Sequence, residues 1–332
     1  MRIAALAGGV GASKLLLGLA RVMDPRQLTV IVNTGDDLAL HGLEISPDLD
    51  IVTYTLGGVV SPATGWGFDK DTFVLLERLS VFGCPKWFQL GDRDLATHVY
   101  RTDELRKGAT LAQVADSIRR ALGVKARILP MSNQPVRTMI GTRKGFLHFQ
   151  EYLVKLRARP AVRRIRFEGS REAEPAPGVL EALRTADGIV ICPSNPLISI
   201  GPILAVPGIR EALRKRRDCV IAVCPLVGGK SLKGPSDRMM MQMGLGTSVS
   251  AIAKLYQDIC GTLLIDRADS AQVRAVEALG VRAICGPTVM RTIHDKARVA
   301  RLVLDSISNH AAHSRSQVRG RSSLIRSTRR RK

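Results

Sequence analysis

The chain has 332 residues, a hydrophobic fraction of 45% and a formal net charge of +21. A chain of this length and composition can bury a large core, so we expect a globular protein. Aromatic residues make up only 4% of the chain, which argues against the stacking surfaces of a single-strand nucleic-acid binder. The excess of positive charge therefore favours polyanionic small substrates over nucleic acid.

Eight basic residues and no acidic residue lie between Arg315 and Lys332. This segment is rich in serine and arginine and lacks apolar periodicity, so we predict that residues 309–332 form a disordered basic tail. One interpretation is a solvated tail, and the other is tethering to an anionic partner. The remaining residues, 1–308, are predicted to form a single α/β domain.

The six cysteines are scattered along the chain, and no two of them have a CxxC spacing. This pattern indicates buried, reduced thiols. The first residues lead directly into a predicted strand without the long apolar segment of a signal peptide. No apolar run reaches the length of about 18 residues that a membrane span needs. We therefore expect a cytoplasmic protein that does not enter a membrane.

Short apolar runs typical of buried strands alternate with segments of helical periodicity. Strands are predicted at Ile3–Ala7, Leu28–Asn33, Trp87–Leu90, Ala126–Leu129, Gly188–Pro193, Cys219–Leu226, Leu263–Asp266 and Arg282–Cys285. Helices are predicted at Leu111–Leu122, Val179–Ala186, Val249–Cys260, Ala271–Leu279 and Arg291–Ile307. The alternation predicts an α/β fold with a doubly wound, mostly parallel, Rossmann-like sheet. The sequence around residues 136–170 interrupts this alternation of strands and helices, and it predicts an inserted β-rich and helical subdomain.

A glycine-rich turn follows the first predicted strand, where the sequence from Gly8 to Lys14 reads GGVGASK. Glycines let the backbone approach an anion closely, and the helical segment after the turn directs free amides toward it. The spacing differs from that of a Walker loop and from that of a dinucleotide fingerprint. We expect Gly9, Gly11, Ser13 and Lys14 to hold phosphate, and a purely structural turn is the alternative.

Carboxylates follow the second predicted strand and precede an apolar segment further on. Asp36 and Asp37 form the first pair, and Asp48 and Asp50 form the second. Oxygen ligands of this kind suit Mg²⁺, which also binds substrate phosphate oxygens. Asp37 of the first pair and Asp50 of the second are therefore candidate metal ligands. Helix capping or a solvated turn is the alternative for each pair.

Two further loops carry polar groups after predicted strands. Ser194 and Asn195 follow one strand, and a loop with Gly229 and Lys230 follows the next. Because ligands bind at the carboxyl ends of parallel strands, these residues are expected to join the phosphate or nucleotide site. The histidines lack metal-ligand spacing and no nucleophile elbow is present, which argues against zinc chemistry and Ser-His-Asp catalysis. The glycine turns, carboxylates and cations instead favour phosphoryl or nucleotidyl transfer, in which catalysis rests on positioning and charge stabilisation.

At these residues the chain closely resembles the 2-phospho-L-lactate transferase family of coenzyme F-420 biosynthesis. The resemblance runs from Arg2 to about Ile307. Its motifs are GGVGASKLLLGL, NTGDD, ISPDLD, LGDRDLATH, LPMSNQPV, HFQEYLV, PSNPLISIGPIL and YQD. The basic tail lies outside the family pattern.

The resemblance implies a magnesium-dependent transferase, with Asp50 and Asp37 as its catalytic carboxylates. In the family, the ribityl hydroxyl of 7,8-didemethyl-8-hydroxy-5-deazariboflavin attacks the distal phosphorus of a guanosine diphosphate adduct, and GMP leaves. The resemblance also implies a homodimer. The residues expected to bind the deazaflavin acceptor are Asp50, Gln89, Asp92, Arg93, Met131, Ser132 and Asn133. The residues expected to bind the nucleotide include Ser194, Asn195, Gly229 and Lys230.

The resemblance leaves two points open. The three-carbon group of the donor could be phospholactyl, phosphoenolpyruvyl or phosphoglyceryl, because these differ by small groups that pocket contacts must distinguish. The alternative function is a non-catalytic regulator that binds a nucleotide sugar, since a related group of gluconeogenesis-factor-like proteins shares the glycine-rich opening.

Overall fold

The computed structural model describes residues 1–309. The strands in this part of the chain are β1 (Ile3–Ala7), β2 (Leu28–Val32), β3 (Leu38–Leu40), β4 (Leu43–Ile45), β5 (Arg127–Pro130), β6 (Arg137–Thr142), β7 (Gly145–His148), β8 (Arg164–Glu168), β9 (Gly188–Ile191), β10 (Val220–Val223), β11 (Leu226–Val227), β12 (Lys230–Ser231), β13 (Thr262–Asp266) and β14 (Arg282–Gly286). Seven of them form one sheet in the order β14-β13-β10-β9-β1-β2-β5. All its strand pairs are parallel.

Helices cover both faces of this sheet. In chain order they are α1 (Gly9–Val22), α2 (Pro47–Leu56), α3 (Val74–Val81), α4 (Asp92–Arg106), α5 (Leu111–Ala121), α6 (Val179–Thr185), α7 (Gly201–Ala205), α8 (Ile209–Arg214), α9 (Ser236–Gln242), α10 (Val249–Tyr256), α11 (Val273–Glu277) and α12 (293–309). Short π-helical turns occupy Glu151–Lys155 and Pro196–Ile200.

Alternating side chains of the strands pack into two separate cores, one on each face of the sheet. Along β1, Ala4 and Leu6 pack on the face covered by α6, α8 and α10. Ile3 and Ala5 pack on the opposite face, with α1, α2, α5 and α12. This arrangement follows from the period-two geometry of a strand whose two faces are both covered. The prediction of a doubly wound, Rossmann-like parallel sheet is confirmed.

The β-rich insertion is also present. Strands β7, β6 and β8 form an antiparallel sheet in that order. Ile140 of β6 packs with Phe149 and Tyr152, which follow β7, against Ile198 and Met239 of the main body. The predicted limits of the insertion, 136–170, and of the domain, 1–308, stay predictions.

The predicted strand at Trp87–Leu90 is wrong. These residues form an irregular segment that leads into α4. Their apolar side chains pack in a small cluster beside the β3–β4 hairpin and Leu95, away from the main sheet. The apolar side chains of this run serve local packing. Periodicity alone cannot distinguish such a short apolar segment from a buried strand.

The other predicted elements agree with the structure within a few residues. Helices α10 and α11 are each four residues shorter than expected, and α11 follows a 3₁₀ turn at Arg267–Gln272. All six cysteines are free thiols, but the prediction that they are buried holds only for Cys192, Cys224 and Cys260, and Cys285 is exposed. Among residues 1–309, no helix has both the length and the apolar character needed to cross a membrane. The predicted disorder of the basic tail concerns residues that, from 310 on, lie outside the described part of the chain.

Candidate active-site cleft

A cleft of about 870 Å³ opens at the carboxyl ends of the central strands. The segment Gly8–Gly11 follows β1, Asp36 follows β2, Pro193–Asn195 follows β9, and Cys224 follows β10; all of these residues line the cleft. This is the edge of an open parallel sheet where ligands bind. Its volume lies within the range for small-molecule and cofactor sites.

The glycine turn after β1 is tightly enclosed by its neighbours. A Cβ atom on Gly11 would overlap the carbonyl oxygen of Pro193, and one on Gly8 would lie 2.7 Å from a carboxylate oxygen of Asp48. Gly9 has a φ of +70°, which favours glycine. The Ser194 hydroxyl donates a hydrogen bond of 2.6 Å to the carbonyl of Gly8. The turn is thus held in place from two sides and begins helix α1 at the wall of the cleft.

Positive charge stands beside this turn. Lys14 lines the cleft, and its pKa is lowered by burial and then by the nearby charges of Lys233 and Lys296. Lys233 also lines the cleft, and its Nζ donates a hydrogen bond of 3.0 Å to the carbonyl of Thr64. Clustered lysines next to a helix N-terminus form a site for an anion.

Three predicted phosphate-binding residues lie outside the cleft lining. The Ser13 hydroxyl donates to the carbonyl of Val10 within α1. Gly229 and Lys230 lie in the β11–β12 hairpin, whereas the cleft is lined by the following segment, residues 232–236. Gly9, Gly11, Lys14, Ser194 and Asn195 do come together there.

Asp36 and Asp48 form an acidic pair beside the glycine turn. The Asn33 side chain donates a hydrogen bond of 2.8 Å to Asp48. Burial raises the pKa of Asp48 to about 6, although the bonds from Asn33 and the Gly9 amide oppose the shift. Burial and the charge of Asp48 raise the pKa of Asp36 well above its usual range. The Asp36 Oδ1 atom is buried and has no hydrogen-bond partner among residues 1–309.

Asp50 lies at the floor of the cleft, in the first turn of α2. Both its oxygens accept hydrogen bonds from Arg101 of α4. His98 of α4 places Nδ1 3.7 Å from Asp50 and Nε2 3.3 Å from Asp94. The Tyr54 hydroxyl donates a hydrogen bond of 2.7 Å to Asp94. Burial raises the pKa of Asp50, and Arg101 opposes this shift.

Ligand atoms of Asp50, Asp94 and His98 lie within 4.8 Å of one another, so this triad is compatible with a bound metal ion. Sequence reasoning missed Asp94, His98 and Arg101. The spacing i, i+4 and i+7 within the LGDRDLATH element and its continuation places these three polar residues on one face of a helix. That spacing is the signal in the sequence from which the cluster could have been predicted.

Asp37 faces a second cavity, of about 370 Å³, which Arg137 and Asn133 also line. Its carboxylate accepts a hydrogen bond of 2.9 Å from the Ser46 hydroxyl, and burial raises its pKa to about 8. Consecutive residues of the turn after β2 thus direct their carboxylates to different cavities. Asp36, not Asp37, lines the main cleft with Asp50.

The segment predicted to border the deazaflavin ring also lies away from the cleft. Met131 is buried in the core on one face of the sheet. The Ser132 hydroxyl donates a hydrogen bond to Gln134, and Asn133 accepts one from the Ala112 amide at the start of α5. Strand β5 lies at the edge of the sheet, two strands from β1, and none of these three residues lines the cleft.

Asp92 and Arg93 have structural contacts. Asp92 accepts hydrogen bonds from the Thr72 hydroxyl and from two amides of the first turn of α3. Asp71 in turn accepts hydrogen bonds from the amides of Arg93 and Asp94 in α4. The Arg93 side chain donates to the carbonyl of Asp69. The two aspartates therefore cap neighbouring helices. Gln89, in contrast, lines the cleft.

Comparison with known proteins gives a consistent result. The chain matches the 2-phospho-L-lactate transferase (CofD) family over residues 3–289. It is 43% identical to a phosphoenolpyruvate transferase of Streptomyces griseus subsp. griseus, covering 92% of this chain and 98% of the relative. It is 40% identical to a 2-phospho-L-lactate transferase of Methanosarcina mazei, covering 90% and 98%.

A similar fold occurs in a solved structure from Bacillus halodurans, a member of the UPF0052 family. The TM-score is 0.63 with 20% sequence identity, over 91% of this chain and 98% of the other. At this identity the similarity concerns the fold alone.

Proposed function

The chain belongs to the 2-phospho-L-lactate transferase family, and we propose that it transfers a phospho-three-carbon-acid group from a guanosine diphosphate adduct to the terminal ribityl hydroxyl of 7,8-didemethyl-8-hydroxy-5-deazariboflavin. GMP is released in this step of coenzyme F-420 biosynthesis. The observation that carries the proposal is the convergence of glycine turn, lysines and carboxylates in one cleft. The donor is phospholactyl, phosphoenolpyruvyl or phosphoglyceryl; relatives named for two of these groups have similar identity to this chain.

The glycine turn and its lysines suit the donor. In the reaction the acceptor oxygen bonds to the distal phosphorus, and the bond from that phosphorus to the bridging oxygen breaks, so charge passes to the departing GMP. The N-terminus of α1, Lys14 and Lys233 present positive charge to these oxygens. Ser194 and Asn195 form the adjoining wall toward the nucleotide.

Asp50 suits the acceptor. Arg101 holds its carboxylate from the side of α4, so its position in the cleft is fixed before substrate binds. A carboxylate in this position accepts the hydrogen bond of the attacking hydroxyl and aligns its oxygen with the phosphorus. Gln89 lies along the same cleft and provides an additional polar contact for the acceptor.

The acidic residues of the cleft fit Mg²⁺. The ion prefers carboxylate and phosphate oxygens, and Asp36 offers a buried oxygen without a partner among the described residues. Asp36 and Asp48 adjoin the phosphate turn, whereas Asp50 of the Asp50–Asp94–His98 triad is already paired with Arg101. We therefore place Mg²⁺ at Asp36 and Asp48, where it would neutralise charge on the transferring phosphate oxygens. Asp37 is not retained as a ligand because it faces the second cavity.

Metal binding is tested with Mn²⁺ as the probe, measured by electron paramagnetic resonance. Asp36→Asn and Asp48→Asn are each expected to weaken Mn²⁺ binding at least tenfold. Each variant removes one charged ligand, and changes even to groups that only support metal ligands lower metal affinity about tenfold or more. Asp94→Asn is the matched control and should bind Mn²⁺ as the unmodified protein does. The reverse pattern would assign the ion to the triad.

The reaction is tested by incubating the protein with the deazaflavin, Mg²⁺ and each of the three guanosine donors, followed by mass spectrometry. We expect GMP and a phosphodiester product with at least one donor, and the productive donor identifies the three-carbon group. Asp50→Asn should retain its fold and lose most turnover. Binding of a UDP-sugar alone, with no GMP or phosphodiester formed from any donor, would favour the nucleotide-sugar regulator instead.

We also propose that the enzyme is a cytoplasmic homodimer. The free thiol state of all six cysteines suits a reducing compartment. Helix α3 and the residue after it expose Val74, Leu75, Val81 and Phe82, and exposed apolar side chains of this kind are typical of subunit contacts. Light scattering of the purified protein tests the assembly, and a monomer at micromolar concentration would contradict it.

A further inference from the structure

The second cavity lies on the other side of two segments that also border the main cleft. Its volume of about 370 Å³ is at the lower end of the range for small-molecule sites. After β2, Asp36 lines the main cleft and Asp37 lines the second cavity. Around the end of β4, Ile45 lines the main cleft, whereas Glu44 and Ser46 line the second cavity. The two cavities therefore share these walls but have no lining residue in common within residues 1–309.

Two buried polar atoms at the second cavity have no hydrogen-bond partner within residues 1–309. They are Oδ1 of Asp37 and the hydroxyl oxygen of Thr34. Both residues line the cavity, and they are only 6% and 2% exposed. Buried polar atoms are nearly always hydrogen-bonded, so these two indicate a position at which a polar molecule binds.

Charged side chains of both signs line the cavity. Arg106 and Arg137 supply two guanidinium groups, and Asp37 and Glu44 supply two carboxyl groups. In the described part of the chain none of the four forms an ion pair, and each arginine donates to a backbone carbonyl instead. The charge of Arg137 still acts on Asp37, where it opposes the rise in pKa that burial causes. Groups of opposite charge that interact without contact leave room between them for a ligand that contacts both.

The rest of the lining suits a small organic molecule. The Asn133 side chain accepts a hydrogen bond from the Ala112 amide through its oxygen, so its NH₂ group remains as a donor beside the arginines. Leu105, Leu111 and Pro135 provide an apolar wall for a short carbon chain. A simple anion would leave the two carboxyl groups without a partner, and a metal cation would meet two guanidinium groups. A molecule that carries both a negative and a positive group matches the cavity.

We propose that the second cavity is a binding site, distinct from the main cleft, for a small zwitterion of the α-amino acid type. Arg137 and the NH₂ group of Asn133 bind its carboxylate. Asp37, Glu44 and the Thr34 hydroxyl accept hydrogen bonds from its ammonium group. An ammonium group at this position favours the ionised form of Asp37, as the charge of Arg137 already does.

The first test is isothermal titration calorimetry with each of the amino acids found in proteins as the probe. We expect at least one of them to bind the unmodified protein. For that amino acid, two analogues with the same side chain are then compared: the α-hydroxy acid, which lacks the ammonium group, and the amine, which lacks the carboxylate. Each analogue should bind about tenfold more weakly because it loses charge-assisted contacts. If no amino acid binds at millimolar concentration, the proposal is overturned.

Two variants test the opposite ends of the ligand. Arg137→Gln and Asp37→Asn are each expected to weaken binding of the amino acid about tenfold. Arg137→Gln should also abolish the preference for the amino acid over the amine, and Asp37→Asn should abolish the preference over the α-hydroxy acid. A general disturbance of the fold would not produce this selective pattern, and either variant alone decides the test if the other does not fold.

Arg164→Gln is the matched control. Arg164 is exposed on β8 and lies outside the lining of the second cavity, so this variant should bind the amino acid as the unmodified protein does. Unchanged binding in Arg137→Gln and Asp37→Asn, or the same loss in all three variants, would overturn the proposal.

GDP separates the second cavity from the main cleft. Because the two share no lining residue among those described, the amino acid should bind with unchanged affinity when GDP saturates the protein. Displacement of the amino acid by GDP would place it in the main cleft and overturn the proposal. None of these measurements requires transfer activity, so the second site stands or fails independently of the proposed function.

Discussion

The carboxylate of Asp50 accepts hydrogen bonds from both terminal nitrogens of Arg101, and both side chains are buried. Arg101 also donates to the carbonyl of Glu44 and lies 3.1 Å from His98 Nδ1. The pair joins the first turn of α2 to the middle of α4 beneath the cleft. It positions a candidate catalytic carboxylate and, together with the hydrogen bond from Tyr54 to Asp94, connects α2 to α4.

Breaking this pair from one side should be costly. We expect Asp50→Ala to lower the free energy of unfolding by about 3–5 kcal/mol, because Arg101 would remain buried and charged without its partner. The double variant Asp50→Leu/Arg101→Met should recover most of this loss, since it removes both charges. Urea unfolding of the single and double variants measures the coupling. Equal losses in Asp50→Ala and the double variant would show that the pair is not the cause.

The buried Asp37 carboxyl should make stability depend on pH. Burial raises its pKa from an ordinary value of 3.8 to about 8 in the folded protein. Between these values the folded state holds a proton that the unfolded state has released, so the stability present below pH 4 is lost as the pH rises toward 8. The slope from this group is at most about 1.4 kcal/mol per pH unit.

Urea unfolding in the presence of EDTA at pH 5, 6, 7 and 8 tests this expectation. Asp37→Asn has no proton to lose at this position, so its free energy of unfolding should fall less steeply with pH than that of the unmodified protein. Parallel profiles would indicate that Asp37 is ionised in the folded state throughout.

The cap at Asp71 should contribute to the stability of α4. Asp71 accepts hydrogen bonds from two amides in the first turn of this helix, and loss of such a cap costs about 1 kcal/mol. Asp71→Ala is expected to lower the melting temperature by a few degrees. Asp305→Ala, at an exposed position of α12, is the control and should melt as the unmodified protein does. Equal melting of both variants would contradict the cap.

Two nearby lysines differ in whether they line the cleft, so they distinguish a direct contact with the donor from a general effect of charge. Lys233 lines the cleft and Lys230 does not, although both are exposed. Lys233→Ala is expected to raise the KM for the guanosine donor about tenfold, as expected for loss of one charge-assisted contact. Lys230→Ala should leave this KM unchanged. The effect of Lys233→Ala on this KM should be smaller at high ionic strength. Equal increases of the KM in both variants would show that the positive charge of the whole loop, and not a direct contact of Lys233, attracts the donor.

Local chemistry made the glycine turn and the parallel sheet predictable. The turn after β1 follows from an apolar run that ends in glycines, and the sheet follows from repeated alternation of two periodicities. Both depend on the residues themselves and their immediate neighbours. The approach of Asp48 to Gly8, in contrast, needed the complete fold.

Side-chain direction was not predictable in the same way. Asp36 and Asp37 are adjacent and chemically identical, and only the packing around the turn decides that Asp36 faces the main cleft. Asp92 resembles a substrate contact because it follows an apolar run, but its partners are backbone amides of α3. In both cases the deciding contacts come from residues distant enough in the chain to leave no local pattern.

The crowding around Gly8 and Gly11 limits how the cleft of this protein can be redesigned. A methyl group at either position would force a neighbouring atom to shift, so substitutions at these two glycines would disturb the turn itself. Substitutions that leave the turn in place must be made elsewhere along the cleft. A library built to change which donor the protein accepts should keep positions 8–11 and 193–194, which fix the turn, and randomise positions 232 and 234–236, which line the same cleft.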